Sequence, residues 1–386
     1  MMLSSRQGGL AAAGLAVAAL AGLLLSLPWS GAWLRMTGSV WQDQVEVPLF
    51  LFWYAAPFLL GLLLGRRDPW LGLLVAYVGA LGLLRASYEG VAAVQYVLAA
   101  GILVWFVRDL AEARPGAADL LVTVLVVGAV IQALYALPQA FGYDPAWWGL
   151  ERRTDMRPIG SIRGSNLLAI YLAVIVPLAP RWVLPILLGG LALTLSALGM
   201  LSATAGLLVR ERHRWRPRVL LLSAAGGLAA AWALHPGAPA SLLLRLRVWR
   251  TGLGDAWAAP IFGHGLGGWA ERVSVLHGTQ VPADGFPIHA HNELVQFAHE
   301  GGLLALLIVA IGVLGHRALW RHPRYGGAVV ASAVACLGHA PLHLASTALV
   351  ILVIYGLATA SPGGFLLPGT ATGPAHSRVS ATERTV

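Results

Sequence analysis

Between His289 and Leu303 the sequence gathers several groups able to do proton chemistry: His289-Ala-His291-Asn292-Glu293-Leu-Val-Gln296, then Glu300-Gly301-Gly302-Leu303. A histidine of ordinary pKa, about 6.5, is neutral at physiological pH and can take a proton from a hydroxyl. His291 is the candidate base, and His289 is its neighbour or a second base. The structural alternative is an interfacial histidine followed by a helix cap, since asparagine at 292 is a common capping residue. Glu300 would pair an arginine or satisfy a nearby polar group.

A second chemistry comes from the cations. All 26 basic residues are arginine, and a guanidinium grips phosphate oxygens in a two-pronged fork while staying charged. The single cysteine, Cys336, excludes an intramolecular disulfide and a thiolate metal site. No Asp-rich metal motif is visible, so neither a metal nor another cofactor is expected.

These residues are carried by an apolar chain. Hydrophobic residues make up 58% of the 386, charged residues 11%, and mean hydropathy is +0.72. A soluble domain carries roughly 25% charged residues. Apolar stretches fall at about 9–27, 47–65, 69–84, 90–107, 119–137, 164–180, 182–209, 219–235, 292–314, 325–341 and 344–361, most near the length that crosses a bilayer. The N-terminal stretch after Arg6 reads as a first span that stays rather than a cleaved signal.

Positive loops stay cytoplasmic. With the N-terminus inside, Arg66, Arg67, Arg108, Arg114 and Arg181 obey that rule. The run Arg210, Arg212, Arg214, Arg216 and Arg218 obeys it only if 182–209 is a tight hairpin, with an arm broken at Ser202-Ala-Thr-Ala-Gly206. The expected fold is therefore an all-α polytopic membrane protein of about 12 transmembrane segments with both termini cytoplasmic. Residues 1–361 form one membrane domain, with outer loops at about 138–163 and 236–290, and 362–386 form a disordered cytoplasmic tail rich in Pro, Gly, Ser and Thr.

Arginines on the outer face are the informative ones, because topology supplies no reason for them. Eight lie in or beside the two outer loops: Arg152, Arg153, Arg157, Arg163, Arg245, Arg247, Arg250 and Arg272. They would hold a diphosphate at the membrane surface, or simply contact lipid headgroups. Carboxylates are scarce within the expected spans, Glu300 being the one well inside, which weighs against a proton-coupled transporter.

Taken together, His291-Asn292 followed by Gln296 and Glu300-Gly-Gly, the turn Gly263-His-Gly265-Leu-Gly267, Arg245 four residues before Trp249, and Arg157-Pro-Ile-Gly160 leading to Asn166 resemble the O-antigen ligase and polymerase superfamily. The match runs from about 157 to 304. Two positions depart from it: Ser165 stands where relatives often have proline, and Ser202-Ala-Thr-Ala-Gly206 lacks an arginine common there, a gap Arg163 would fill.

The resemblance implies a GT-C-like, metal-independent inverting glycosyltransferase of the bacterial inner membrane, its active site facing the periplasm. Its donor would be an undecaprenyl-diphosphate-linked glycan and its acceptor lipid A-core, with O-antigen ligation as the expected reaction. A lipid-linked acceptor would instead make it a polymerase, a protein acceptor an O-oligosaccharyltransferase, and transport without chemistry a flippase. Besides these the bilayer is its partner, and no nucleic acid is expected. His291 would be the base, Arg245 with Arg157 and Arg163 would hold the diphosphate, and Asn292, Glu300, His289 and Asn166 would support them.

Overall fold

The computed structural model describes residues 88–144, 157–162, 164–212, 222, 225–226, 229, 238–270, 272, 289–315 and 322–360. The expected spans at 9–27, 47–65 and 69–84, most of that at 219–235, residues 145–156 of the first outer loop and 273–288 of the second, the tail 362–386 and Arg163 lie outside them. Among the described residues every regular element is helical and no strand occurs.

Helix α1 (Tyr88–Ala113) and α2 (Pro115–Ala140) meet at Arg114. A short 3-10 turn (Gly160–Ile162) leads into α3 (Ser165–Ile175), followed by α4 (Leu184–Leu193) and α5 (Ala197–Arg210). Then come α6 (Ala238–Ala256), α7 (Glu293–Gly315), α8 (Pro323–Cys336), a second 3-10 turn (Pro341–His343) and α9 (Ala345–Thr359). Two of these are long and apolar enough to cross a membrane, Gly116–Ala140 and Glu293–Ile311; α3, α4, α5 and most of α9 are apolar but shorter.

The stretch 182–209 is two helices, as a hairpin requires, but the expected break of an arm at 202–206 is absent. Residues 202–206 continue α5, and the chain turns at Thr194-Leu195-Ser196, where Leu195 takes φ +52°. Ser196 caps α5 by accepting from Gly199 N–H, which fixes the start of that helix. The following run Ser202-Ala-Thr-Ala-Gly206 then packs instead of bending. A Cβ on Gly206 would lie 2.7 Å from the Gly327 carbonyl oxygen, so α5 and α8 approach backbone to backbone. Small residues at such contacts let helices pack without a hydrophobic drive between them.

One core joins α1–α5, α8 and α9, with Leu121, Leu168, Leu172, Ile175 and Ile354 essentially inaccessible. A smaller core of Val248, Trp269, Ala290 and Val295 ties α6 to the entrance of α7.

Helix α7 is broken inside. Gly302 sits at φ +64°, ψ −165°, a conformation open essentially only to glycine. A break frees backbone groups, and in an apolar helix each must find a partner. The loop 259–268 supplies them. His264 N–H donates to the His299 carbonyl and Gly265 N–H to that of Glu300, while Leu303 and Leu304 N–H donate to the Pro260 and Ile261 carbonyls. The glycine-rich turn is thus a plug for the broken helix, with Gly263, Gly265 and Gly267 all at positive φ.

Candidate functional site

The start of α7 faces the connection between α8 and α9. Asn292 caps α7, its Oδ1 accepting from Leu294 N–H (2.9 Å) and Val295 N–H (3.2 Å). Its Nδ2 reaches across to the Leu337 carbonyl at 3.0 Å. The structural role considered for Asn292 is therefore real, and the same side chain also docks the next loop. Just before it, His291 takes φ +52°, an uncommon conformation for a residue with a Cβ and a frequent mark of functional sites.

Arg245 comes to the same place from α6. Its Nη1 donates to the Gly338 carbonyl at 2.7 Å. The guanidinium is half-buried, and no carboxylate among the described residues pairs with it. Burial lowers its pKa from the usual value, yet an arginine stays charged in proteins. Four residues on, Trp249 anchors the helix by donating from Nε1 to the Ala290 carbonyl at 2.8 Å, beside His291.

Two further groups, His339 and His343, escaped sequence reasoning. The His339 ring lies edge-on to that of His291, centroids 5.0 Å apart, and its Nδ1 accepts from Ala340 N–H at 2.8 Å, leaving the proton of a neutral ring on Nε2. Glu293 accepts from Leu342 N–H at 2.6 Å, and its other oxygen lies 2.9 Å from His343 Nδ1. His289 stacks obliquely on His343 at 5.1 Å. Leu337, Gly338, His339, Leu342 and His343 thus form one wall, contacting Arg245, His289, His291, Asn292 and Glu293. The only signal in the sequence was Gly338-His-Ala-Pro-Leu-His343 interrupting an apolar run, and a histidine pair alone is weak.

The histidines differ in charge. Burial, with the Arg245 charge as the second cause, pushes His291 down to about 4. Burial, then His343 and His291, push His289 down to about 3. At His343 burial acts downward too, but the Glu293 carboxylate outweighs it and raises the pKa to about 9. Near neutral pH His291 is an unprotonated base beside a cation, and its Nδ1 is buried and unpaired.

Arg157 and Asn166 sit in a neighbouring group. Two buried glutamines seven residues apart on α2 clamp the chain before α3. Gln139 Oε1 accepts from Ile159 and Gly160 N–H, and Gln132 Oε1 from Ser161 N–H. This presents Arg157, whose Nε donates to the Thr194 carbonyl at 3.0 Å, while Asn166 Oδ1 accepts from Ser196 Oγ. Both therefore meet the turn between α4 and α5. The two groups adjoin through Leu198, whose side chain abuts Gly338. No hydrogen bond among those described joins Arg157 directly to Arg245 or His291.

Glu300 takes the structural role. It is buried, accepts from Gln296 Nε2 at 3.1 Å, and accepts from the backbone N–H of Gly267 and Trp269. Gln296 Oε1 in turn accepts from Ala290 N–H. The pair ties the glycine turn to the His289–His291 segment.

One other cluster has the composition of a metal site: Asp255, His264 and His299. Its groups are already paired with one another. Arg272 grips both Asp255 oxygens at 2.7 and 2.8 Å, His299 Nε2 lies 2.9 Å from Oδ2, and His264 Nε2 also meets the Asp255 carbonyl at 2.9 Å. The Arg272 hydrogen bond is the first cause holding Asp255 down at about 2. Of the eight arginines in or beside the two expected outer loops, Arg272 is therefore engaged in a part-buried clamp. No family model matches the chain, and no curated protein is similar to it.

Proposed function

We propose that the chain is a polytopic membrane glycan transferase of the O-antigen ligase kind, with about 12 spans and a site facing the periplasm. It would move a glycan from undecaprenyl diphosphate onto a sugar hydroxyl of lipid A-core. The observation that carries this reading is the pairing of Arg245 with His291. A half-buried guanidinium with no carboxylate partner among the described residues is a costly arrangement, and an anionic ligand would complete it. Beside it stands a neutral histidine in a strained backbone conformation.

Diphosphate is a good leaving group, so the protein's tasks are to bind its charge and remove the acceptor's proton. Arg245 binds the diphosphate, assisted by Arg157 from the adjoining group and by Arg163 six residues on. The acceptor oxygen attacks the anomeric carbon opposite the diphosphate. A new carbon–oxygen bond forms as the bond to diphosphate breaks, the electron pair leaves on the diphosphate, and His291 takes the hydroxyl proton. Inversion follows from that single displacement. Arg245 is also a cause of the low His291 pKa, so a bound diphosphate offsets its field and makes His291 a stronger base once the donor is seated.

The deciding experiment incubates purified protein with an undecaprenyl-diphosphate oligosaccharide, with and without lipid A-core, in EDTA. One shifted band that requires lipid A-core is expected, and it should vanish in His291→Ala and in Arg245→Ala while both remain expressed and inserted. A ladder formed without lipid A-core would make the reaction polymerisation. Near-normal turnover by His291→Ala would overturn the mechanism.

A further inference from the structure

Helix α6 carries more than Arg245. Its buried side, Val248, Gly252 and Ala256, packs toward Trp269 and Val295, with a Cβ on Gly252 meeting the Trp269 ring at 2.4 Å. The sector adjoining it is exposed and apolar. At about 100° per residue, Leu242, Leu246, Leu253 and the following Trp257 fall in one sector, and Leu243 falls past it between Arg250 and Arg247. Leu243 and Trp257 are 60% and 82% accessible. Ile261 and Phe262 extend this exposed surface past the helix end. Arg247 and Arg250 lie together along one edge, both exposed, and no acidic residue shares the face; Asp255 is on the protein side.

Such a helix is not built to span. It holds Arg245, Arg247, Arg250 and Asp255 within 19 residues, and each such charge at mid-bilayer costs roughly 2.5–3.5 kcal/mol. Nor is its outer face built for water, which leaves large apolar side chains unfavourably solvated. An apolar sector flanked by arginines is the pattern of a helix lying in the membrane interface. The arginine edge has the sign that phospholipid phosphates attract.

We infer that α6 lies flat in the outer bilayer surface, with its Leu242–Leu246–Leu253–Trp257 sector among the upper acyl chains and Arg247 and Arg250 on phospholipid phosphates. The inference rests on the chain being a membrane protein. It divides the outer arginines by role: Arg247 and Arg250 anchor to lipid, whereas Arg245, on the protein side of the same helix, stays at headgroup depth. If the proposed transfer holds, that is the depth at which a lipid-borne diphosphate arrives.

The test uses the full chain in nanodiscs of phosphatidylethanolamine and phosphatidylglycerol, with Cys336→Ser as background. Single spin labels replace Leu246, Leu253, Arg247 or Arg250, and collisions with oxygen and with a water-soluble nickel chelate give depth. Labels at 246 and 253 are expected about 5–10 Å below the phosphates and at matching depths, with labels at 247 and 250 shallower. Leucine-sector labels open to the chelate would overturn the inference. So would a depth that grows steadily along the helix, which means spanning. Spin–spin broadening between single labels would overturn it too, by putting a second copy on the face. No substrate enters this measurement, so failure of glycan transfer would leave its result standing.

Discussion

Gly302→Ala tests the broken helix most directly. A Cβ there would lie 2.3 Å from the Ile261 carbonyl oxygen and 2.7 Å from Gly263 N, both backbone atoms without a rotamer to give. Alanine also has to adopt φ +64°, ψ −165°, at about 1–3 kcal/mol. Restoring normal contact pushes the 259–268 loop back by about 1 Å, enough to turn hydrogen bonds of 2.8 Å into mere proximity. Four bonds cross this junction, three at 2.8 Å and one at 3.2 Å. Losing two costs about 1 kcal/mol each, and more where the groups stay buried. The total is about 3–5 kcal/mol, which for a chain of this size lowers the melting temperature by roughly 4–6 °C. Gly189→Ala is the control, because its Cβ meets nothing within 4 Å and a helical Ala for Gly is neutral or stabilising. Both variants would be melted in the same detergent by tryptophan fluorescence. Gly302→Ala melting within about 1 °C of the parent, a shift worth under about 1 kcal/mol, would refute the seating of the loop in the break.

The remaining predictions concern charge and positioning. Under unsaturating donor, transfer should stay flat from neutral pH downward and then fall as pH drops through about 4, where His291 takes its proton; a pH–rate profile with an acid limb near the ordinary 6.5 would count against it. Arg245→Gln, although slow, should move that limb upward, because one cause of the low pKa is gone. Asp255 is held at about 2, below its unfolded value, so its stabilisation is present above pH 4 and lost as pH falls through about 2. Arg272→Gln should bring that loss to higher pH in an acid-unfolding titration, and an unchanged curve would mean the clamp is idle. His339→Ala should lower kcat roughly tenfold or more with little change in donor KM, since it orients His291 without touching the donor; a pure KM effect would assign it to binding instead.

Much of this site could be seen in the sequence because its parts are local. His291, Asn292, Gln296 and Glu300 follow one another at helical spacing, so their shared neighbourhood is a matter of counting residues, and the cap at Asn292 is written in the same stretch. The glycines at 263, 265 and 267 announced a turn, but their partner did not show. Only the structure shows that the turn fills the gap opened by Gly302, because pairing of backbone groups across 35 residues leaves no trace in residue type. The same holds for Gln132 and Gln139, which look like ordinary polar residues in an apolar helix until the 159–161 backbone is placed against them.

The hairpin at 182–209 shows why the second half of such a reading fails. Charge placement led to the expectation of a turn within 182–209, and the chain does turn there. It could not locate the turn itself, since small residues serve equally to bend a helix and to let two helices touch. Ser202-Ala-Thr-Ala-Gly206 does the second, with Gly206 against Gly327, and the bend falls at Thr194–Ser196, where a cap is available. The wall at 337–343 was hidden for a related reason. Leu337, Gly338 and Leu342 act through their backbone carbonyl or N–H groups on Asn292, Arg245 and Glu293, and every residue type but proline offers both of those groups. His339 and His343 were the residues in that wall whose side chains could have spoken for it. A lone histidine in an apolar run becomes informative only when another ring, here that of His291, is found beside it.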